Sequence, residues 1–338
     1  MTSPTLRSAV VQLGGTDRLD RAMLQCGDRP FLAWILRELC RYGVEHVVLL
    51  SGNADADVVR AMPEATGHLP KPLDVSHVPG RLFEARSLLP ERFLFCQGDC
   101  WLDLNLAPFL AEAAGDAAAG HALHGSGVSV LTQAAFAPKA PPELPITRMA
   151  GTVFDLTNPN DIARAQAELP QRLHRRALFL DRDGVINHDH GYVGTHERFA
   201  FVDGAREAIR LASDAGWHVF IVTNQSGIAR GFYSEADFAA LMDWVSDEVR
   251  CAGGNIDDLR YCPMHPEAKL AEYRGDSDWR KPNPGMLRDL ISVWELNPAD
   301  CLMVGDQPTD IAAAEAAGMP GHLFPGGNLR DFIAPLLT

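Results

Sequence analysis

The stretch that decides the fold reads Ala177-Leu178-Phe179-Leu180-Asp181-Arg182-Asp183-Gly184-Val185-Ile186-Asn187. Four apolar residues run without interruption into a charged Asp-Arg-Asp. An apolar run with no polar alternation predicts a parallel strand buried on both faces. Open α/β sheets bind ligands beyond the carboxyl ends of such strands. Asp181 and Asp183 are two apart, which in an extended chain puts both carboxylates on one face. Gly184 then lets the backbone turn sharply. Carboxylates so placed repel each other, and a divalent cation or a shared proton relieves the repulsion. A bare D-x-D also reads as two loop aspartates capping the next element, so the other strand ends have to decide.

Toward the C-terminus, Asp203–Gly216 reads as a helix with Asp203 as its N-cap. Residues 217–222 (Trp-His-Val-Phe-Ile-Val) read as a second buried strand. It ends in Thr223-Asn224-Gln225-Ser226-Gly227, where a hydroxyl, amides and a glycine form a neutral cradle for a phosphoryl group. Ser234–Cys251 has the Ser-x-x-Asp start of a helix. Ile256–Tyr261 is a third strand, followed by Cys262-Pro263-Met264-His265-Pro266 and a loop to Trp279. Next comes Arg280-Lys281-Pro282-Asn283-Pro284-Gly285, whose lysine is a phosphate-binding point charge. Asp300–Val304 is a fourth strand, ending in Gly305-Asp306-Gln307-Pro308-Thr309-Asp310. A helix at Ile311–Ala317 stops at Gly318, and Gly321–Phe324 is a last short strand. The strand ends thus carry D-x-D, T-N, K-P and G-D-x-x-x-D, and a parallel sheet gathers such ends on one edge.

Toward the N-terminus the same alternation of strand and helix recurs. Strands are expected at Ser8–Leu13, followed by Gly14-Gly15-Thr16-Asp17-Arg18, at Glu45–Ser51, and at Arg92–Cys96, followed by Gln97-Gly98-Asp99. Helices are expected at Phe31–Tyr42, with Gly43 as the stop, and at Ala107–Ala119. A closing helix at Ile162–Leu169 and a basic linker to Arg176 mark a boundary. The fold class is therefore α/β with two domains, 1–170 and 177–338, each a mostly parallel sheet flanked by helices.

Of 338 residues, 46% are hydrophobic and 22% charged, the composition of an ordinary globular protein with room for two cores. A formal net charge of −14 argues against binding nucleic acid or an anionic membrane, while leaving room for a local basic phosphate pocket. No apolar run approaches the roughly 20 residues of a membrane span, and no signal peptide is read. Seven scattered cysteines fit free thiols in a reducing cytoplasm.

In this order the four C-terminal motifs resemble those of the haloacid-dehalogenase superfamily of phosphatases. Residues 181–187, Gly191-Tyr192-Val193, 223–231 and 280–285 are similar to the heptose-1,7-bisphosphate phosphatases, of which histidinol-phosphate phosphatases are close relatives. The resemblance implies a Rossmann-like fold and Mg²⁺-dependent hydrolysis of a phosphorylated sugar. It makes Asp181 the nucleophile and Asp183 the general acid and base. Thr223 and Lys281 become the phosphoryl-binding groups, and Asp181, the Asp183 carbonyl and Asp306 hold Mg²⁺. Asn224, Gln225, Ser226 and Arg280 are candidate substrate contacts. Asp310 either joins the metal site, orients Lys281 or caps its helix, and Arg230 is either a substrate contact or a surface charge. Many heptose-1,7-bisphosphate phosphatases carry a structural zinc in the loop after the third strand, held by a Cys-x-His pair and a later Cys-x-Cys. Here its ligand positions read Cys262-Pro263-Met264 and Ser277-Asp278-Trp279, so zinc is not expected, a Cys262/His265 remnant being the alternative.

The first domain resembles the sugar-phosphate nucleotidyltransferases in Gly14-Gly15, residues 27–32 (Gly-Asp-Arg-Pro-Phe-Leu), Gly98-Asp99 and residues 154–161 (Phe-Asp-Leu-Thr-Asn-Pro-Asn-Asp). It departs from them in a shorter glycine loop, in the absence of a basic Lys-Pro segment before Gly27, and in only 56 positions between Asp99 and Asp155. The resemblance therefore implies a shortened domain without catalysis, serving packing or assembly such as a homo-oligomer. The alternative is a bifunctional enzyme serving consecutive steps toward a nucleotide-activated heptose.

Overall fold

The computed structural model describes residues 5–14, 17–52, 55–115, 120–136 and 144–338. The chain divides into two units, Met1–Arg172 and Leu173–Thr338.

In the first unit the strands are β1 (Ser8–Gln12), β2 (His46–Gly52), β3 (Asp74–Pro79), β4 (Arg92–Gln97), β5 (Cys100–Asp103), β6 (Gly120–Leu123), β7 (Val128–Thr132), β8 (Ile146–Thr147) and β9 (Thr152–Asp155), beside a two-residue ribbon at Gln25–Cys26 and Arg29–Pro30. Seven of them form one sheet in the order β8-β6-β7-β4-β1-β2-β3. The pairs β1–β2, β2–β3, β1–β4 and β6–β8 are parallel, and β7 runs antiparallel to β4 and β6. The sheet is thus mostly parallel, with an antiparallel insertion the sequence did not announce. The center is dry: Val10, Val11, Val47, Val48 and Phe93 are fully buried. Helix Phe31–Arg41 is enclosed even at Arg37 and Arg41. The expected helix from Ala107 runs to Gly115, and the remainder of that expectation lies outside the described residues, as do Gly15 and Thr16. The closing helix is Pro159–Glu168, capped by the Asn158 side chain.

In the second unit the strands are β10 (Ala177–Leu180), β11 (His218–Asn224), β12 (Asp258–Cys262), β13 (Cys301–Gly305) and β14 (Gly321–Leu323). They form one all-parallel sheet in the order β12-β11-β10-β13-β14. Counted along the chain this is 3-2-1-4-5, so the strand order reverses at β10, and a crevice opens at the carboxyl ends beside it. All four residues of β10 are buried, as the unbroken apolar run requires. Leu178 and Leu180 face one core layer with Ile209, Phe238 and Val245, while Ala177 and Phe179 face the other with Leu287, Leu290 and Trp294. Helix Glu235–Cys251 begins with the expected capping box between Ser234 and Asp237. Asp203 does not cap its helix: that helix is Ala205–Asp214, entered through Gly204 at φ 74°. A left-handed entry favors glycine, and the Asp203 carbonyl instead accepts from the Leu329 amide. Among the described residues no helix is long and apolar enough to cross a membrane.

Candidate active site

Asp181 is the first residue past β10, its N–H bonded to the Val304 carbonyl of β13 at 3.0 Å. Asp306 follows β13, and Asp310 lies in the first turn of helix Pro308–Ala317. The three offer carboxylate oxygens within 4.8 Å of one another. Lys281 threads between them: its Nζ lies 2.9 Å from Asp181 Oδ1 and 2.6 Å from Asp310 Oδ1, and donates to the Val222 carbonyl at 2.9 Å. Asp310 both orients Lys281 and, through Oδ2, caps its helix by accepting from the Gln307 amide at 3.0 Å. Burial pushes Asp181 up to about 7, with Lys281 pulling it down and Asp310 pushing it further up. Burial also raises Asp306. The Lys281 ammonium is raised despite its burial, by the charges of Asp181 and Asp310.

Three carboxylates against one ammonium leave two negative charges, the amount a divalent cation neutralizes. Asp306 Oδ1 is buried without a hydrogen-bond partner, which marks a ligand position. Gly184, at φ 86°, brings the turn after Asp183 against Asp306, and a Cβ there would lie 2.3 Å from Asp306 Oδ2. The donor set is all oxygen, which suits Mg²⁺.

Asp183 stands beside this cluster, its side chain 22% exposed. The buried Arg182 donates through Nη2 to both of its oxygens at 2.7 Å and to the Val193 carbonyl at 2.7 Å. Asn187 Nδ2 donates to Oδ1 at 2.9 Å and Gln225 Nε2 to Oδ2 at 3.0 Å. The structure commits two expected substrate contacts inward. Gln225 also donates to Thr223 Oγ1 at 2.8 Å, and Asn224 exchanges two 3.1 Å hydrogen bonds with the backbone of Lys281. Sequence reasoning gave no role to Arg182, Asn187 or Tyr233. The first two were legible as polar residues inside the D-x-D turn, whereas Tyr233 carried no signal.

A cleft of about 370 Å³ opens over these strand ends, lined by Asp183, Tyr192, Asn224, Gln225, Ser226 and Tyr233 among others. Its aromatic rim is Tyr192 against Phe232, 4.7 Å between ring centers, with the Arg230 guanidinium 5.8 Å from the Tyr192 ring. Arg198 braces the rim by donating to the carbonyls of His190, Gly191 and Tyr192. Arg230 Nε is buried without a hydrogen-bond partner. Arg280 donates to the Met264 carbonyl at 3.2 Å, and burial together with Arg230 lowers its pKa. Burial, Arg280 and Arg230 likewise lower that of His265. Arg230 and Arg280 are thus two neighboring cations in an acidic chain, and they hold His265 beside them toward its neutral form. The loop after Cys262 is tied by hydrogen bonds: His265 donates to the Tyr273 carbonyl, Gly275 to the His265 carbonyl, and His265 Nδ1 accepts from Glu267.

In the first unit, β9 pairs antiparallel with β5, placing Asp155 opposite Cys100. Asp99 and Asp155 are therefore brought near by the backbone, but their carboxylates are engaged elsewhere. Asp99 is fully buried, and its oxygens accept from Arg18 at 3.2 Å and from two Arg21 nitrogens at 3.2 and 2.8 Å. Asp155 accepts from the Thr157 amide and hydroxyl at 2.9 and 2.6 Å.

Comparison with known proteins returns a family model described as "HAD-hyrolase-like", matching residues 278–331. A D-glycero-β-D-manno-heptose-1,7-bisphosphate 7-phosphatase of Rhodopseudomonas palustris is 47% identical over 163 residues, covering 48% of this chain and 91% of that relative. Among solved structures, D,D-heptose 1,7-bisphosphate phosphatase from B. bronchiseptica, complexed with magnesium and phosphate, is 34% identical with a TM-score of 0.41, covering 47% of this chain and 86% of that one. A UDP-glucose pyrophosphorylase of Acinetobacter baumannii is 14% identical with a TM-score of 0.41, covering 49% and 94%.

Proposed function

The chain belongs to the haloacid-dehalogenase-like family of the heptose-1,7-bisphosphate 7-phosphatases, and from that premise we propose that its second unit hydrolyzes a phosphomonoester through an aspartyl-phosphate, with D-glycero-D-manno-heptose 1,7-bisphosphate as substrate and its 7-phosphate as the group removed. The observation that carries the reading is the set of Asp181, Asp306 and Asp310 around Lys281, with Asp183 two residues on from Asp181.

An Asp181 oxygen attacks phosphorus in line, and the bond from phosphorus to the sugar oxygen breaks. Asp183 gives its proton to that oxygen. In the second half Asp183 takes a proton from water, the water oxygen bonds to phosphorus, and Asp181 leaves with phosphate released. Thr223 and Lys281 hold phosphoryl oxygens, and Asp310 keeps Lys281 aimed. Asp181, the Asp183 carbonyl and Asp306 would hold Mg²⁺, which supplies positive charge to the phosphoryl oxygens as they redistribute theirs. The second phosphate of the substrate has a counterpart in Arg230 and Arg280, whose charges have no carboxylate beside them among the ion pairs of the described residues. Ser226 lines the same cleft and completes the substrate contacts.

The zinc loop is read as metal-free, with hydrogen bonds at Met264, His265 and Gly275 taking the place of ligands. The first unit is read as nucleotidyltransferase-like without catalysis, because Arg18 and Arg21 occupy the Asp99 carboxylate where a cation would bind. Seven free cysteines support a cytoplasmic setting.

The test is phosphate release with Mg²⁺ from heptose 1,7-bisphosphate, fructose 1,6-bisphosphate and histidinol phosphate. Preference for the heptose supports the reading. Preference for histidinol phosphate moves the substrate, and no release from any of the three overturns the hydrolase. Nucleotide transfer to heptose 1-phosphate would overturn the reading of the first unit.

A further inference from the structure

Asp183 acts twice in the proposed reaction, and both acts need its carboxyl group held over the reacting atoms rather than swung into the open cleft. Arg182 and Asn187 hold it from its own turn, Arg182 through a guanidinium that also reaches the Val193 carbonyl. Gln225 ties it to a different strand. We propose that Gln225 and Tyr233 form a positioning pair that fixes Asp183 against the end of β11, an inference that rests on the phosphatase reading and goes beyond it.

Gln225 is 1% exposed, so its amide is no surface group. Nε2 reaches Asp183 Oδ2 at 3.0 Å and Thr223 Oγ1 at 2.8 Å, joining the general acid–base to a phosphoryl-binding hydroxyl. Oε1 accepts from the Tyr233 hydroxyl at 2.5 Å, which fixes which way the amide faces. Burial raises the Tyr233 phenol to about 12 and keeps it a neutral donor.

The slot for Tyr233 is an independent sign that the fold is built to deliver this hydroxyl. A Cβ at Gly194 would lie 2.3 Å from Tyr233 Cδ1, and one at Gly227 would lie 2.4 Å from Cε1. Neither glycine has a positive φ, so the backbone makes no demand for glycine at either position. The demand comes from the ring between them.

The test separates the two half-reactions. p-Nitrophenolate leaves without needing a proton, so the first step with p-nitrophenyl phosphate bypasses Asp183 as acid, whereas the second step uses it as base. In Tyr233→Phe the nitrophenolate burst keeps its wild-type rate. Steady-state turnover of this substrate and kcat for heptose 1,7-bisphosphate fall about tenfold, less than the roughly 10²-fold or more that loss of the acid–base itself would cost, because Asp183 remains. KM for the bisphosphate stays within about threefold. Gly227→Ala, which displaces the ring and removes no polar group, gives the same split. Adding Tyr233→Phe to Gln225→Ala costs nothing further if the two act in one chain. Equal loss of burst and steady state, additive losses in the double variant, or kcat within twofold of wild type in Tyr233→Phe would each overturn the pair. A wild type that releases no phosphate overturns the pair and the phosphatase reading together, whereas an active wild type beside unaffected variants overturns the pair alone.

Discussion

Both units carry an aspartate just beyond a central parallel strand, Asp99 after β4 and Asp181 after β10, and the two are neutralized in opposite ways. Asp99 is one carboxylate facing two guanidinium groups. Asp181 is one of three carboxylates facing a single ammonium. The first site has a surplus of positive charge supplied by the chain, so its charges are met at folding. The second is short of positive charge, with three carboxylates around one ammonium. The same strand-end placement thus gives a closed ion pair in one unit and, on the function proposed above, a cation-binding reaction site in the other, and the difference lies in how many basic side chains reach the carboxylate.

The sharpest way to break this comparison is to neutralize each aspartate in turn. Asp181→Asn is expected to lower phosphate release by at least about 10⁴-fold, loss of a nucleophile costing up to roughly 10⁶-fold, while Asp99→Asn leaves release within about twofold; a phosphate assay on both variants decides it. A second prediction concerns what comes from outside. Chelation abolishes phosphate release and added Mg²⁺ restores it. Asp306→Asn raises the Mg²⁺ needed for half-activity on the order of 100-fold, at least the upper end of what changes outside the ligand shell cost. An Mg²⁺ titration that leaves Asp306→Asn unchanged would remove this residue from the site.

The third prediction turns to stability. Asp99→Asn leaves Arg18 and Arg21 facing a neutral amide. Breaking a fully buried pair costs about 3–5 kcal/mol, and these arginines are partly exposed, so about 2 kcal/mol is expected. Urea unfolding with a probe in the first unit measures it. The smallest effect belongs to a carboxylate held by neutral groups. Glu235 accepts from the Tyr261 and Tyr273 hydroxyls at 2.5 and 2.7 Å, and these bonds lower its pKa. A lowered carboxylate stabilizes the fold above its unfolded value of about 4.3 and loses that contribution as pH falls through the folded value. Glu235→Gln is therefore expected to cost about 0.5 kcal/mol at pH 7, the difference from wild type closing below about pH 4 in thermal melts.

How much of this was legible depended on how local each signal is. D-x-D, T-N, K-P and G-D-x-x-x-D stand out because each charged or polar cluster ends an apolar run, and the parallel sheet places such ends together. Asn224 and Gln225 read the same in sequence whether an amide meets a ligand or a neighbor, so only the structure shows them turned toward Lys281 and Asp183. Tyr233 gave no signal, because its partner Gln225 is eight positions away in chain and the glycines that admit it read as ordinary loop residues. In the first unit β3 is half-exposed and polar, which hides it from any hydrophobic pattern. The β6–β7 hairpin is short and joined by glycines, which read as loop. The Arg18–Asp99 pairing spans 81 positions, a distance at which charge patterning along the chain carries no information.

The two glycines around Tyr233 have a consequence for how this sequence can change. Positions 194, 227 and 233 share one volume, so they are not free to vary one at a time. In a library randomized at all three and selected for phosphate release, alanine at 194 or 227 should survive only beside a smaller residue at 233. Single steps away from the present trio should be depleted while certain double replacements persist. The ring therefore acts as a lock on the route by which the cleft could drift toward other substrates.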